Sequence, residues 1–178
     1  MKILFLDVYP DVTYRICKDT AGGYGTANDF GDTLFCKIIK RYVKGKLDWP
    51  PFHAMYPMGV LKNKGYTVEY SRNVEDYKNY DLIIVPSSIV AHETEIDAIK
   101  EIHGSKKPIL AIGPFATNYP ESYINAGAKV IFGESEMYFM HQDISIEKIK
   151  SLGSKIIVEE NSDINLLPLP PWDIVCKH

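Results

Sequence analysis

Between residues 113 and 136 the chain twice runs an apolar strand into a glycine and then into a helix start. Gly113-Pro114-Phe115-Ala116-Thr117 follows the apolar run 108–112, and Gly133-Glu134-Ser135-Glu136 follows the run 129–132. A glycine at such a turn admits positive φ or the close approach of a ligand to the backbone. In a parallel sheet these strand-to-helix turns gather at one edge, and ligands bind there. This pattern admits few folds other than a layered α/β domain.

Three more apolar runs, 2–8, 66–70 and 81–85, read as strands. Helical stripes lie between the later ones. Met55, Met58 and Leu61 precede Gly65, and Ile96, Ile99 and Ile102 precede Gly104, each glycine standing where a helix C-cap glycine would. Asn118 is an N-cap candidate with Pro120 in the first turn and Gly127 closing the helix; Ser135 is the next, ahead of Met137, Phe139 and Met140. Strands alternating with helices imply right-handed crossovers and a doubly wound, mainly parallel sheet. The expected fold is Rossmann-like or flavodoxin-like, with five strands in the order 2-1-3-4-5 and helices on both faces.

Two regions exceed a minimal version of that fold. The first connection, 9–52, is far longer than such loops usually are and reads as an insertion with one helix. Leu34, Phe35, Ile38, Ile39 and Tyr42 recur there at helical spacing, Asp32 or Thr33 can cap it, and Lys37, Lys40, Arg41 and Lys44 form a solvated face. The second is 143–178: a short helix at 145–152, a short strand at 155–158, then Leu167-Pro168-Leu169-Pro170-Pro171-Trp172, whose prolines end regular structure. The expected division is a Rossmann-like domain over 1–142 and an extension with an extended connector over 143–178.

The net charge of -3 and pI near 5.9 give no electrostatic footprint for nucleic acid. No apolar run approaches the roughly 20 residues of a membrane span, and 3–6 is too short for a signal peptide. The reading is therefore cytoplasmic, with no nucleic-acid or membrane partner. Cys17, Cys36 and Cys176 lack CxxC spacing, so neither disulfide framework nor zinc site is indicated.

Ser87-Ser88 follows the third strand directly, where hydroxyls either hydrogen-bond a ligand or cap the next helix. Gly113 either serves its turn or admits a flat ligand, and helix capping accounts for Ser135 and Glu136 better than for Gly133 and Glu134. Gly22-Gly23-Tyr24-Gly25-Thr26 lacks both the P-loop ending and GxGxxG spacing; it fits a loop closing over a ligand with Tyr24 and Phe30 as flat surfaces. Histidines 53, 92, 103, 141 and 178 show no metal-ligand spacing and read mostly as surface residues, with a structural role for His92 beside Ser87-Ser88. No catalytic triad emerges, and strand ends three and five lack the aspartate and lysine of a phosphoacceptor receiver.

In order along the chain, Pro50-Pro51, the helix at 55–64, Gly65-Tyr66-Thr67-Val68-Glu69, Tyr80-Asp81-Leu82-Ile83-Ile84-Val85, the run from Pro108 to Thr117, Gly127-Ala128-Lys129-Val130 and Gly133-Glu134-Ser135-Glu136 form a set. The set resembles the N-terminal cobalamin-binding-type domain of B12-dependent radical S-adenosylmethionine enzymes. Leu167-Pro168-Leu169-Pro170-Pro171-Trp172-Asp173 is similar to the connector that precedes their catalytic barrel. The resemblance implies a corrin ring over the carboxyl edge of the sheet with its nucleotide tail in a groove. Ser87 and Ser88 would face the tail, Gly113 and Pro114 line the groove, and Gly133 and Glu134 sit beside it.

Two departures qualify the match. The DxHxxG signature of classical cobalamin proteins is replaced by Asp7-Val8-Tyr9-Pro10, with Tyr9 where the cobalt-ligating histidine would stand, so cobalamin would be held without histidine. The CxxxCxxC that binds the iron-sulfur cluster is missing, so cluster and S-adenosylmethionine would belong to a catalytic domain supplied in cis or in trans, and this chain is not catalytic alone. The expected function is a cofactor module for methyl transfer or a related radical modification. Two alternatives stand beside it: the same fold serving without cobalamin as scaffold or substrate-facing cover, and half of a nucleotide-sugar-type α/β enzyme.

Overall fold

The computed structural model describes residues 1–10, 33–44, 50–158 and 163–175. Six strands form one parallel sheet in the order β2-β1-β3-β4-β5-β6. They are β1 (Lys2–Leu6), β2 (Thr67–Ser71), β3 (Leu82–Pro86), β4 (Ile109–Ile112), β5 (Lys129–Phe132) and β6 (Lys155–Ile157). The expected order 2-1-3-4-5 is present, and a sixth strand continues it. The run at 155–158, read as part of an extension, pairs with β5 because Ile156 adds a buried side chain to the sheet's core.

The central strands are apolar throughout because both faces are covered. On β1, Ile3 and Phe5 enter one core with Met55, Met58 and Leu61 of α2 (Phe52–Asn63) and Phe139 of α6 (Ser135–His141). Leu4 and Leu6 enter the other, with Ile99 and Ile102 of α3 (His92–His103) and Tyr123 of α5 (Pro120–Ala126). Each such aliphatic or aromatic side chain contributes roughly 1.5–3 kcal/mol when fully buried.

Helix α1 (Leu34–Lys44) forms as its spacing predicts, with the Thr33 hydroxyl accepting the Cys36 N–H at 3.2 Å. Its apolar positions Leu34, Phe35, Ile38 and Tyr42 remain 60–77% exposed. Some terminal residues differ in role from the expectation. Gly104 is helical (φ -57°), and the turn beyond it is made by Lys106 at φ 62°. Asn118 closes α4 (Pro114–Asn118) by donating its side-chain amide to the Pro114 carbonyl at 2.7 Å, leaving Tyr119 to start α5. Ser135 is the first residue of α6, after Glu134 in extended conformation.

After α7 (Ile146–Ser151) and β6, the chain returns to α2. The proline-rich stretch crosses that helix at Gly59, where an added Cβ would lie 3.2 Å from the Leu169 carbonyl oxygen and 3.3 Å from Pro168 Cγ. A side chain there would press the stretch outward by a few tenths of an ångström. The short helix α8 (Trp172–Val175) then pairs Asp173 with Lys62 at 2.6 Å, sets Trp172 edge-on to Phe52, and buries Val175. The Gly22–Thr26 loop, Tyr24, Phe30, Asp32, Cys17, Cys176 and His178 lie outside the described residues.

Candidate functional site

The carboxyl ends of β3, β4 and β5 open into a cleft of about 550 Å³. It lies beside the point where the strand order reverses around β1, the position at which doubly wound sheets bind ligands. Ser87 follows β3, Gly113, Pro114, Thr117 and Asn118 follow β4, and Gly133, Glu134, Ser135 and Glu136 follow β5. The opposite wall is the start of α2, through Phe52, His53, Tyr56 and Pro57.

The floor is built closely. Gly113 has φ 99°, and a Cβ there would stand 3.1 Å from Ser87 Oγ, so a side chain would be strained and would press on the neighbouring strand end. Ser87 donates its N–H to the Ile112 carbonyl at 2.8 Å, and its hydroxyl accepts the Ala116 N–H at 2.9 Å. The Thr117 hydroxyl donates to the Gly113 carbonyl at 3.1 Å. Gly133 repeats the positive φ, at 101°.

Of the residues singled out in the sequence, Ser87, Gly113, Pro114, Gly133 and Glu134 come together in this cleft. Ser88 and Tyr9 are placed elsewhere. Ser88 is buried and turns toward α3, its hydroxyl accepting the Ala91 N–H at 3.1 Å and donating to Glu95 at 3.2 Å. Ser87 thus lines the cleft, and Ser88 supports the turn into α3 without capping the helix, whose start has no side-chain cap bond. Tyr9 donates its hydroxyl to the fully buried Asp7 at 3.1 Å, beneath the Arg72 guanidinium 5.1 Å from its ring.

The Asp7 carboxylate also accepts from Tyr70 at 2.8 Å and meets His53 Nε2 at 3.4 Å. Burial, and then the Asp7 charge, push both tyrosine hydroxyls far above their ordinary range, so they stay protonated donors. His53 thus ties the cleft wall to the end of β1. Sequence reasoning grouped it with surface histidines. Its position in the first turn of the helix returning from strand one was the available signal, because that helix borders the switch point. His92 takes the structural role expected of it, edge-on to Phe115 with ring centroids 5.0 Å apart and Nδ1 3.3 Å from the Tyr123 hydroxyl.

The cleft is acceptor-rich. Glu134 and Glu136 line it, and among the described residues no lysine or arginine does. Burial raises the Glu136 carboxyl, and the neighbouring Glu134 charge adds to the shift. Such a wall favours neutral or donor-bearing ligands and opposes polyphosphates. Among the described residues no group of three or more histidine, cysteine, aspartate or glutamate side chains could hold a metal ion, and no helix is long and apolar enough to cross a membrane.

In comparison with known proteins, the chain is 27% identical over 143 residues to a protein of Synechocystis sp. described as an uncharacterized methyltransferase. The match covers 77% of this chain and 26% of that relative, so this chain spans about a quarter of the relative's length. No protein-family model and no solved structure matches the chain.

Proposed function

We propose that this domain is the cobalamin-binding module of a methyltransferase of the radical S-adenosylmethionine type. The observation that carries the reading is the cleft itself, with positive-φ glycines at two strand ends and a wall that accepts hydrogen bonds without presenting a lysine or arginine among the described residues. Cobalamin is large, and its corrin periphery bears neutral amides that donate hydrogen bonds. Its nucleotide tail would enter between Ser87, Gly113 and Gly133, and Glu134 and Glu136 would accept from amide donors.

The distant similarity to a methyltransferase supports the same direction. Bound cobalamin would supply a transferable methyl group. This chain's residues would bind and orient it and shield it from water. Tyr9, which stands where the histidine of the classical signature would, is engaged by Asp7, so that position would hold cobalamin without a histidine ligand. The iron-sulfur cluster and S-adenosylmethionine would be carried by a partner catalytic domain, in cis or in trans. A nucleotide-sugar ligand fits less well, because its diphosphate would bring two negative charges to the two carboxylates, where the cobalamin tail brings the one of its phosphodiester.

Titration with hydroxocobalamin, followed by visible absorption and desalting, tests the reading. The expected result is retained cobalamin with a spectrum lacking histidine coordination. An unchanged spectrum with no retention would overturn it, and thermal stabilisation by nucleotide sugars alone would favour the rival.

A further inference from the structure

Glu95 is a fully buried carboxylate in the first turn of α3, outside the cleft lining. Burying such a charge is costly unless donors converge on it. Here they do. Its Oε2 accepts the Ser88 N–H at 3.2 Å and the Tyr123 hydroxyl at 2.6 Å, and its Oε1 accepts the Ser88 hydroxyl at 3.2 Å. The start of the helix adds a favourable dipole.

The residue type follows from that geometry. A carboxylate only accepts, so it satisfies all these groups at once. A glutamine would have to turn its NH2 toward the Ser88 hydroxyl, which already accepts from Ala91 N–H and would then have to redirect its own proton. Tyr123 reaches Glu95 from α5, fully buried and held protonated by burial and by the Glu95 charge. One carboxylate thereby ties the turn after β3 to helices on the same face.

Ser87 is the residue immediately before this latch, and it forms the cleft floor against Gly113. We infer that Glu95 is a positioning residue: by fixing Ser88, it holds Ser87 and the β3–α3 turn in the shape that receives the ligand. The ligand part of this inference rests on the cobalamin reading above. The latch part stands on the hydrogen bonds alone.

The test compares wild type, Glu95→Gln and Tyr123→Phe by amide hydrogen exchange and by hydroxocobalamin titration, at a temperature where all three remain folded. Glu95→Gln is expected to speed exchange at Ser88 and Ala91 at least tenfold and to weaken hydroxocobalamin binding by about tenfold, roughly 1.4 kcal/mol. Tyr123→Phe, which leaves both Ser88 bonds in place but removes a hydroxyl that also meets Ser87, is expected to lower thermal stability while leaving exchange at Ser88 and Ala91 within twofold of wild type. A merely structural Glu95 would give the two variants parallel losses of stability and parallel changes in exchange. Unchanged exchange at Ser88 and Ala91 in Glu95→Gln overturns the latch. Faster exchange with unchanged affinity overturns its role in positioning. If wild type binds no hydroxocobalamin, the cobalamin reading fails, and the exchange result still decides the latch. Should Glu95→Gln not fold, Ser88→Ala, which removes only the hydroxyl arm, is expected to speed exchange at Ala91, and failure to do so overturns the latch.

Discussion

Asp7 and Glu95 are both carboxylates with no exposed surface, on opposite sides of the candidate site, and they are held in different ways. Glu95 accepts from the Ser88 turn and from Tyr123, behind the cleft floor. Asp7 is served by Tyr9, Tyr70 and His53, and His53 is part of the cleft wall. The first arrangement is a fixed support. The second couples a buried charge to the wall of the cleft, so it is the one that a ligand in the cleft would reach.

The largest expected effect tests the support. Glu95→Ala removes the acceptor from the Ser88 N–H, the Ser88 hydroxyl and the Tyr123 hydroxyl together, and should cost about 3 kcal/mol or more in urea unfolding. Next comes the floor that support holds. Gly113→Ala places a Cβ at φ 99° and 3.1 Å from Ser87 Oγ, for a loss of about 1–3 kcal/mol on the same measurement.

Alkaline unfolding sharpens the comparison between the two circuits. Tyr70 and Tyr123 have folded pKa values raised above their ordinary 10.0, so the stability they contribute is complete below pH 10. It is lost as pH rises beyond 10, because the unfolded chain then releases protons that the folded chain retains, at about 1.4 kcal/mol per pH unit for each tyrosine. Tyr70→Phe and Tyr123→Phe should each flatten the fall in stability between pH 10 and 11. The smallest effect falls on the cleft rim. Burial raises Glu136 above 4.5, so its contribution is present below that pH and is lost as pH rises. Solvent screens this partly exposed group, so Glu136→Gln should raise stability at pH 7 by about 0.5 kcal/mol or less, and not at pH 4.

The core of the fold was legible because fully buried parallel strands leave continuous apolar runs, such as 82–85 and 109–112, that tolerate little else. Gly113 and Gly133 announced the edge because positive φ at a strand end excludes most residues. The sixth strand was read as a local element, and its place beside β5 depends on pairing that three residues cannot encode. The α2 wall was missed for a similar reason: Phe52 and His53 lie where a long insertion passes into the helix, and the approach of that helix to the cleft is set by topology. Glu95 was a different omission. It lies at the i position of the stripe Ala98, Ile99 and Ile102, an acid on an apolar helix face, which is itself a mark of a buried charge with donors around it.

The contact between Trp172 and Phe52 gives this protein an optical handle. The indole lies 6.1 Å, centroid to centroid, from a ring that also lines the cleft, and the chain holds two tryptophans in all. Replacing Trp49 with phenylalanine leaves Trp172 as the single indole emitter. Its emission then reads the cleft wall from the side of the proline-rich stretch, so filling of the cleft and displacement of that stretch become visible in one signal, without a label.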